Sequence, residues 1–278
     1  MKKYQHCKYT PIYQQLIIIL ILITPLFSAY SQNNEKTDTK TWSLRLGSGV
    51  GYGAYRDLGT APFSFKGATL MPDAGLSFTS GVWLFDIAST SMIGIYEDAL
   101  KPAFNFAAFD VNNTVRIKLL RQLPHEGCPI RVGMAVSSFL DANINTNYEN
   151  AAVGVSWFIY PEIIARIDDT PLGSKESSRF SLHGELGVAP VAWAMRPGYS
   201  FIDNYTATQP VLDAQFDNYQ MSATAFACLS TDIGLNYRFK SNNSISISYL
   251  WNFHRSNGTW EYYHASHIVA TSIIIKLK

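Results

Sequence analysis

The segment 41-TWSLRLGSGVGYGAY-55 alternates between two kinds of side chain over its whole length. The even positions from Trp42 to Ala54 are mostly apolar, whereas the odd positions include Ser43, Arg45 and a series of glycines. A pattern with a period of two predicts a β-strand, because successive side chains of a strand point to opposite faces. This strand would have one apolar face and one face that is polar or bare.

The same alternation returns in nine further segments. In the fourth, Val111, Val115 and Ile117 share one face, and Asp110 and Arg116 share the other. The ten segments lie at about residues 41–55, 69–78, 83–90, 110–119, 130–137, 153–166, 180–188, 232–239, 245–253 and 269–277. Strands that are apolar on the outside must satisfy all their backbone polar groups without water, which only closure of the sheet allows.

The pattern therefore predicts an all-β fold, a closed antiparallel transmembrane β-barrel of about ten strands. The strand number has a range of roughly eight to twelve, because residues 196–221 could contain a further hairpin. Two connections are short turns, at residues 79–81 and 240–243, and two others on the same side span about 121–129 and 168–178. The long external loops are predicted at about residues 56–67, 97–103, 141–151, 196–221 and 255–263.

The first forty residues differ from the rest of the chain. A basic start that includes Lys2 and Lys3 precedes an apolar run from Leu16 to Phe27, which is too short to span a membrane as a helix. Small residues, Ala29 and Ser31, follow at the spacing of a secretory cleavage site. We predict a removed signal peptide at residues 1–31, a flexible periplasmic lead-in at 32–40 and the outer-membrane β-barrel at 41–278.

Composition supports a membrane location. Hydrophobic residues make up 47% of the chain and charged residues only 15%, well below the roughly 25% of an average soluble domain. The 22 basic and 21 acidic residues are nearly balanced, which argues against a nucleic-acid partner. The expected location is the outer membrane of a Gram-negative bacterium, reached through the secretory pathway, with outer-membrane lipid as one partner.

Ionisable side chains on the inward face form the main candidate site. They are Arg45, Asp73, Asp86, Asp110, Arg116, Lys118, Arg131, Glu162, Arg166, His183, Glu185, Asp232 and Arg238. Their mixed signs predict a lumen charge network of ion pairs that fills the barrel. The alternative interpretation is a narrow pore, in which lumen charges would set ion preference.

One short segment has the residues of a hydrolase. The segment His254-Arg255-Ser256-Asn257 resembles the His-x-Ser-Asn segment of outer-membrane lipid A deacylases, which hydrolyse an ester with a Ser-His-acid arrangement. The resemblance implies His254, Ser256 and Glu261 as catalytic candidates. It departs from the family because Glu261 follows Ser256 by only five residues and because the strand pattern turns His254 inward.

The remaining histidines and cysteines predict no metal site, no cofactor and no disulfide. His264 and His267 are three residues apart on a predicted strand and so point to opposite faces. Cys128 and Cys228 are expected at different heights in the barrel, too far apart for the roughly 7 Å that a disulfide requires between Cα atoms.

Residues 41–278 resemble, by architecture, the small outer-membrane β-barrels of Gram-negative bacteria, which include OmpA-like membrane domains and small porin-like barrels. The resemblance implies a structural or interaction role, in which external loops contact extracellular or envelope proteins. A narrow channel for small solutes is the first alternative, and a lipid-modifying hydrolase is the second. The sequence favours a role without catalysis.

Overall fold

The computed structural model describes residues 40–58, 64–98, 108–124, 129–145, 152–172, 178–196, 220–257 and 261–277. The predicted signal peptide and almost all of the predicted lead-in lie outside the described residues. Among the residues that are described, no helix is both long and apolar enough to cross a membrane.

Ten antiparallel strands form the described part of the chain. They are β1 (Thr41–Asp57), β2 (Ser64–Ser80), β3 (Trp83–Asp98), β4 (Ala108–Gln122), β5 (Ile130–Asn145), β6 (Ala152–Pro171), β7 (Phe180–Arg196), β8 (Gln220–Arg238), β9 (Ser244–Ser256) and β10 (Tyr262–Leu277). Each strand pairs with its neighbours in sequence, and β1 also pairs with β10. The predicted closed antiparallel barrel is therefore confirmed.

The seam between the first and last strands is as regular as the other pairings. Ser48 lies opposite Pro72 on β2 and opposite Thr271 on β10, and the β1–β10 register continues without a shift from Trp42 to Asp57. Closure gives every strand a hydrogen-bonding partner on both sides. The sheet therefore has no free edge, as a wall in contact with lipid requires.

The two faces of the wall follow the parity of the sequence. Outward apolar side chains such as Val50, Ile233 and Ile247 are more than half exposed, at 64%, 60% and 57%. Inward neighbours such as Asp86 and Lys118 are almost completely buried. An apolar exterior around a charged interior reverses the usual arrangement of a soluble protein and suits a lipid environment.

We name the two ends of the barrel by their connections. The turn end carries the tight β2–β3 and β8–β9 turns, in which Gly81 and Asn242 have positive φ angles of 54° and 64°. The loop end lies opposite and carries the long connection between β7 and β8.

Several strands are longer than the sequence predicts. β1 continues to Asp57 and β2 begins at Ser64, inside the connection predicted at residues 56–67. β8 begins at Gln220, inside the predicted 196–221 loop. A further hairpin between β7 and β8 would lie outside the described residues. The ladder is made by backbone groups, so it continues beyond the apolar band even where the outward side chains become polar.

Packing against β10 explains why the inner face of β1 carries a glycine at Gly51. A Cβ atom there would lie 2.0 Å from the carbonyl oxygen of His267 and 2.8 Å from a side-chain carbon of Ile268. Ile268 is completely buried. Glycine therefore lets the β10 side chain fill the lumen beside β1.

Candidate functional site

A band of ion pairs crosses the turn-end half of the lumen. We call it the ionic layer, and its members are Arg45, Asp73, Asp86, Arg116, Lys118, Arg131, Glu162, Arg166, Asp168 and Glu185. Arg45 lies 2.8 Å from Asp73, and Arg166 lies 2.8 Å from Asp168, which also pairs with Arg131. The layer holds equal numbers of basic and acidic side chains.

Glu185 on β7 lies at the centre of this layer. Its carboxylate accepts hydrogen bonds from Lys118 Nζ at 3.0 and 3.1 Å, and Arg116 Nη1 and Arg166 Nη1 lie 3.6 and 3.5 Å away. Lys118 also lies 3.1 Å from Asp86 on β3. Side chains of β3, β4, β6 and β7 thus meet inside the barrel, so the ionic layer joins opposite parts of the wall.

Hydroxyl groups complete the coordination of the acids. Ser77 donates to Asp86 at 2.6 Å, and Thr90 donates to Asp73 at 2.8 Å. Ser137 donates to Glu162, which is completely buried. Buried charges are tolerated only when they are paired and hydrogen-bonded, and these are both.

Four residues of the predicted network lie elsewhere or are paired differently. His183 Nε2 lies 3.3 Å from Asp232 in a separate pair. Asp110 lies near the loop end, away from the ionic layer, and Arg238 is exposed at the last position of β8. The pattern of parity predicted which side chains point inward but did not predict their heights or partners.

Asp168 is a member of the ionic layer, although the sequence pattern predicts a connection at this position. It lies in β6, which extends to Pro171, and it pairs with both Arg131 and Arg166. The available signal was the spacing from Glu162 and Arg166, since all three residues have the same parity. The β6–β7 pairing shifts in register between Ile167 and Thr170, so the alternation of side chains does not continue regularly to the end of the strand.

A group of buried rings fills the loop-end half of the lumen. We call it the aromatic cluster, and it consists of Phe139, Phe158, Tyr160, Phe226 and Tyr262. The ring centroids of Phe158 lie 5.3 Å from Phe226 and 5.0 Å from Tyr262. Such separations are typical of packed aromatic pairs, so the cluster is a packed section of the lumen.

Three polar side chains border the aromatic cluster. The ring of His254 stacks on Phe139 with centroids 4.3 Å apart, and its Nε2 lies 3.0 Å from the Tyr160 hydroxyl. Arg196 on β7 pairs with Asp57 on β1 and lies over the ring of Tyr262. The sequence pattern does not predict the cluster, because β6 is apolar on both faces there and parity alone does not show which of its rings point inward.

A small cavity of about 100 Å³ lies in the lumen beside these two layers. Arg45, Asp73, Arg116 and Glu185 of the ionic layer line it, and His254 borders it. The cavity has room for a few water molecules, and its polar lining suits water.

The three hydrolase candidates are not brought together. His254 and Ser256 both point inward, but Ser256 Oγ lies 3.2 Å from Thr224 Oγ1, while His254 contacts Tyr160. Glu261 lies at the loop end and pairs with Arg255 at 3.1 Å and with Arg56 at 3.7 Å. The structure thus gives no Ser-His-acid relay among these residues, because their hydrogen bonds are made to other side chains.

The other candidate ligands are also separated. His264 is buried, whereas His267 is exposed and lies 2.6 Å from the Tyr249 hydroxyl on the outer face. Within the described ranges, no group of three or more His, Cys, Asp and Glu side chains is placed to hold a metal ion. Cys228 is buried and forms no disulfide, and Cys128 lies outside the described residues.

The fold is similar to those of solved outer-membrane proteins. The outer membrane protease OmpT from Escherichia coli aligns with a TM-score of 0.52 at 9% identity, covering 88% of this chain and 99% of that one. The translocator domain of the autotransporter NalP from Neisseria meningitidis aligns with a TM-score of 0.40 at 8% identity, covering 94% and 96%. No protein-family model and no curated protein matches the chain. At 9% identity, the OmpT alignment carries information about the fold alone, which is that of an outer-membrane β-barrel.

Proposed function

We propose that this chain, with its closed ten-stranded outer-membrane β-barrel fold, is a non-conducting protein of the Gram-negative outer membrane with a structural or interaction role. Its barrel acts as a rigid anchor in the lipid. Its loop-end connections make contacts with extracellular or envelope proteins.

The filling of the lumen is the observation that supports this proposal. The ionic layer joins β4 to β7 through Lys118 and Glu185 at 3.0 Å, and the Arg196–Asp57 pair joins β7 to β1. The aromatic cluster fills the lumen above the ionic layer. A solute channel needs a continuous aqueous path, and in the described part of the barrel ion pairs and packed rings cross that path beside a cavity of about 100 Å³.

The mixed signs of the lumen charges also favour a closed barrel over a selective pore. Each acid of the ionic layer has a basic partner within 4 Å, so the charges neutralise one another. A channel that selects ions by lumen charge needs an excess of one sign along its path.

The outer wall supports the location in the membrane. The outward side chains of the strands include many large apolar residues, among them Val136, Ile163 and Ile233, which are each more than half exposed. Water would have to cover this surface if the barrel were soluble, at an unfavourable free energy of about 25 cal/mol for each Å².

Planar-bilayer conductance is the first test of the proposal. The folded protein, inserted into a lipid bilayer, is expected to give no unitary currents, because ion pairs and packed rings obstruct the lumen. A porin inserted under the same conditions is the control for detection. Unitary currents of reproducible size would refute the closed barrel and support the channel alternative.

Photo-crosslinking in intact cells tests the interaction role. A photoreactive residue at Tyr205 or Phe216, within the β7–β8 connection, is expected to give discrete protein adducts. The same residue at Ile247, on the lipid-facing side of β9, is the matched control and is expected to give lipid adducts only. If the connection gives no protein adduct, the interaction role is wrong even when the barrel is closed.

A further inference from the structure

We infer that Asp110, Asn112, Asp141 and Asn143 form a binding site for a hard divalent cation of the calcium class, on the inner wall near the loop end. Two carboxylates and two amides supply oxygen ligands. The site is separate from the ionic layer and does not depend on the proposed function.

The four residues form a compact group because of the β4–β5 register. Asp110 lies directly opposite Asn143, and Asn112 lies directly opposite Asp141. All four side chains point inward and are at most 1% exposed. Directly opposed residues of an antiparallel pair have Cβ atoms about 4.5–5.5 Å apart, so the four side chains share one small patch of wall.

Each of these side chains has an oxygen atom without a hydrogen-bond partner. The atoms are Asp110 Oδ1, Asn112 Oδ1, Asp141 Oδ1 and Asn143 Oδ1, all buried. The second oxygens of the acids are occupied, since Asn112 Nδ2 donates to Asp110 at 3.1 Å and the Tyr262 hydroxyl donates to Asp141 at 2.8 Å. Buried polar atoms are nearly always satisfied, so four unsatisfied oxygens in one patch indicate a missing ligand.

The charges at the patch also indicate a missing cation. The other fully buried acids pair with Lys or Arg: Asp57 with Arg196, Asp86 with Lys118 and Glu162 with Arg116. Within the described part of the chain, no Lys or Arg pairs with Asp110 or Asp141, although these two carboxylates lie close enough to repel each other. Two buried carboxylates without a cation are costly to ionise, and a bound divalent ion would neutralise both.

His264 does not supply the missing charge. Its Nε2 lies 3.9 Å from Asp110 and 3.3 Å from Asn112 Nδ2. Since the amide nitrogen is the donor, Nε2 must accept, which requires the neutral form of the imidazole ring. The ring therefore stabilises the orientation of Asn112 without neutralising the acids.

The donor atoms favour Ca²⁺ over other ions. Ca²⁺ takes six to eight oxygen ligands from carboxylates, amide and backbone carbonyls and water, whereas Mg²⁺ dehydrates reluctantly and keeps several waters. A buried group of side-chain oxygens suits the first ion better than the second. Zn²⁺ prefers nitrogen and sulfur ligands, and the four residues offer neither.

A cation at this place would stabilise the loop end of the barrel. It would hold β4 to β5 through the four side chains, and β10 would be included through the hydrogen bond from Tyr262 to Asp141. Because Ca²⁺ would bind the folded barrel and not the unfolded chain, it would raise the unfolding temperature by mass action.

The test compares the folded full-length protein in detergent, after treatment with EDTA, with and without added Ca²⁺. The temperature at which the compact, heat-modifiable form is lost on gels is expected to rise by about 5 °C at a Ca²⁺ concentration about 100 times the Kd. Tb³⁺, which replaces Ca²⁺, is expected to give tyrosine-sensitised luminescence that Ca²⁺ displaces, because Tyr262 contacts Asp141. Mg²⁺ is expected to compete more weakly.

Two variants make the test specific. The Asp110→Asn, Asp141→Asn double variant removes both charges, and we expect it to lose about 100-fold or more in Tb³⁺ affinity. It should nevertheless remain folded without Ca²⁺, because the two acids no longer repel each other. Asp232→Asn is the matched control, since it removes a lumen acid outside the patch, and it should respond to Ca²⁺ as the wild type does.

The outcomes separate a cation from a shared proton. If neither ion changes the wild-type protein, the cation site is refuted, and stabilisation by acidification would then show that the two acids share a proton. An equal response of the wild type and the double variant also refutes it. Loss of the response in the double variant alone supports the site.

Discussion

Glu185 is the residue on which most of the ionic layer depends. It contacts Lys118 at 3.0 Å and lies within 4 Å of both Arg116 and Arg166. Its side chain is only 11% exposed, so water cannot replace it effectively. Loss of this one carboxylate would leave several buried cations with too few partners.

The Glu185→Gln variant tests this dependence. We expect the free energy of unfolding to fall by about 3–5 kcal/mol, because removal of one partner leaves uncompensated buried charge. Urea unfolding of the protein in lipid vesicles, followed by tryptophan fluorescence, measures the change. Asp232→Asn is the control, and since Asp232 is 27% exposed and pairs with His183, we expect a loss of about 1 kcal/mol or less. Equal losses in the two variants would contradict a central role for Glu185.

At the scale of single elements, the β8–β9 hairpin depends on the backbone of its turn. Asn242 has a φ angle of 64°, and its backbone N–H donates to the Phe239 carbonyl at 3.1 Å. Phe239 in turn donates to the Asn243 carbonyl at 2.8 Å. Asparagine tolerates the left-handed conformation better than other residues with a side chain, apart from aspartate.

The stability of variants at Asn242 should therefore depend on how easily the new residue adopts a positive φ angle, and not on the size of its side chain. Asn242→Val is expected to lose about 1–2 kcal/mol of unfolding free energy, because a β-branched residue is strained at positive φ. Asn242→Gly adopts the same conformation without strain and serves as the control, with little change expected. The same urea unfolding experiment measures both variants, and equal stability of the two would show that the turn does not require this conformation.

At the scale of the whole molecule, the β1–β10 seam determines that the sheet is a barrel. The seam joins the first and last strands of the chain, so it forms only when the other strands have curved fully around. Ser48 and Thr271 lie directly opposite each other in it, and both point outward.

A disulfide across the seam tests closure. The Ser48→Cys, Thr271→Cys double variant is expected to oxidise readily in the folded protein, since directly opposed Cα atoms lie about 4.5–5.5 Å apart and a disulfide needs about 4.4–6.8 Å. Ser48→Cys with Ser89→Cys is the matched control, because β2 separates the two strands and neighbouring strands are about 4.8 Å apart. Trypsin digestion and mass spectrometry detect the bond. A bond in the control but not across the seam would contradict the closed register.

Some of the fold and the candidate site could be predicted from the sequence alone. A period of two needs no tertiary information, because alternate side chains of any strand share a face. Parity therefore identified all ten strands and turned residues such as Arg116 and Glu162 inward, and it also placed His264 and His267 on opposite faces. It could not locate strand ends, since backbone pairing continues where the side-chain pattern fades.

The partners of the inward side chains were decided only by the tertiary structure. Lys118 and Glu185 are 67 residues apart in the chain and Arg196 and Asp57 are 139 apart, and they meet because the closed sheet brings distant strands around one lumen. The stagger of neighbouring strands then determines which inward residues share a height. For this reason the sequence alone shows which charged residues are present. Only the closed barrel determines that the acids of the ionic layer have basic partners, whereas no described Lys or Arg pairs with Asp110 or Asp141.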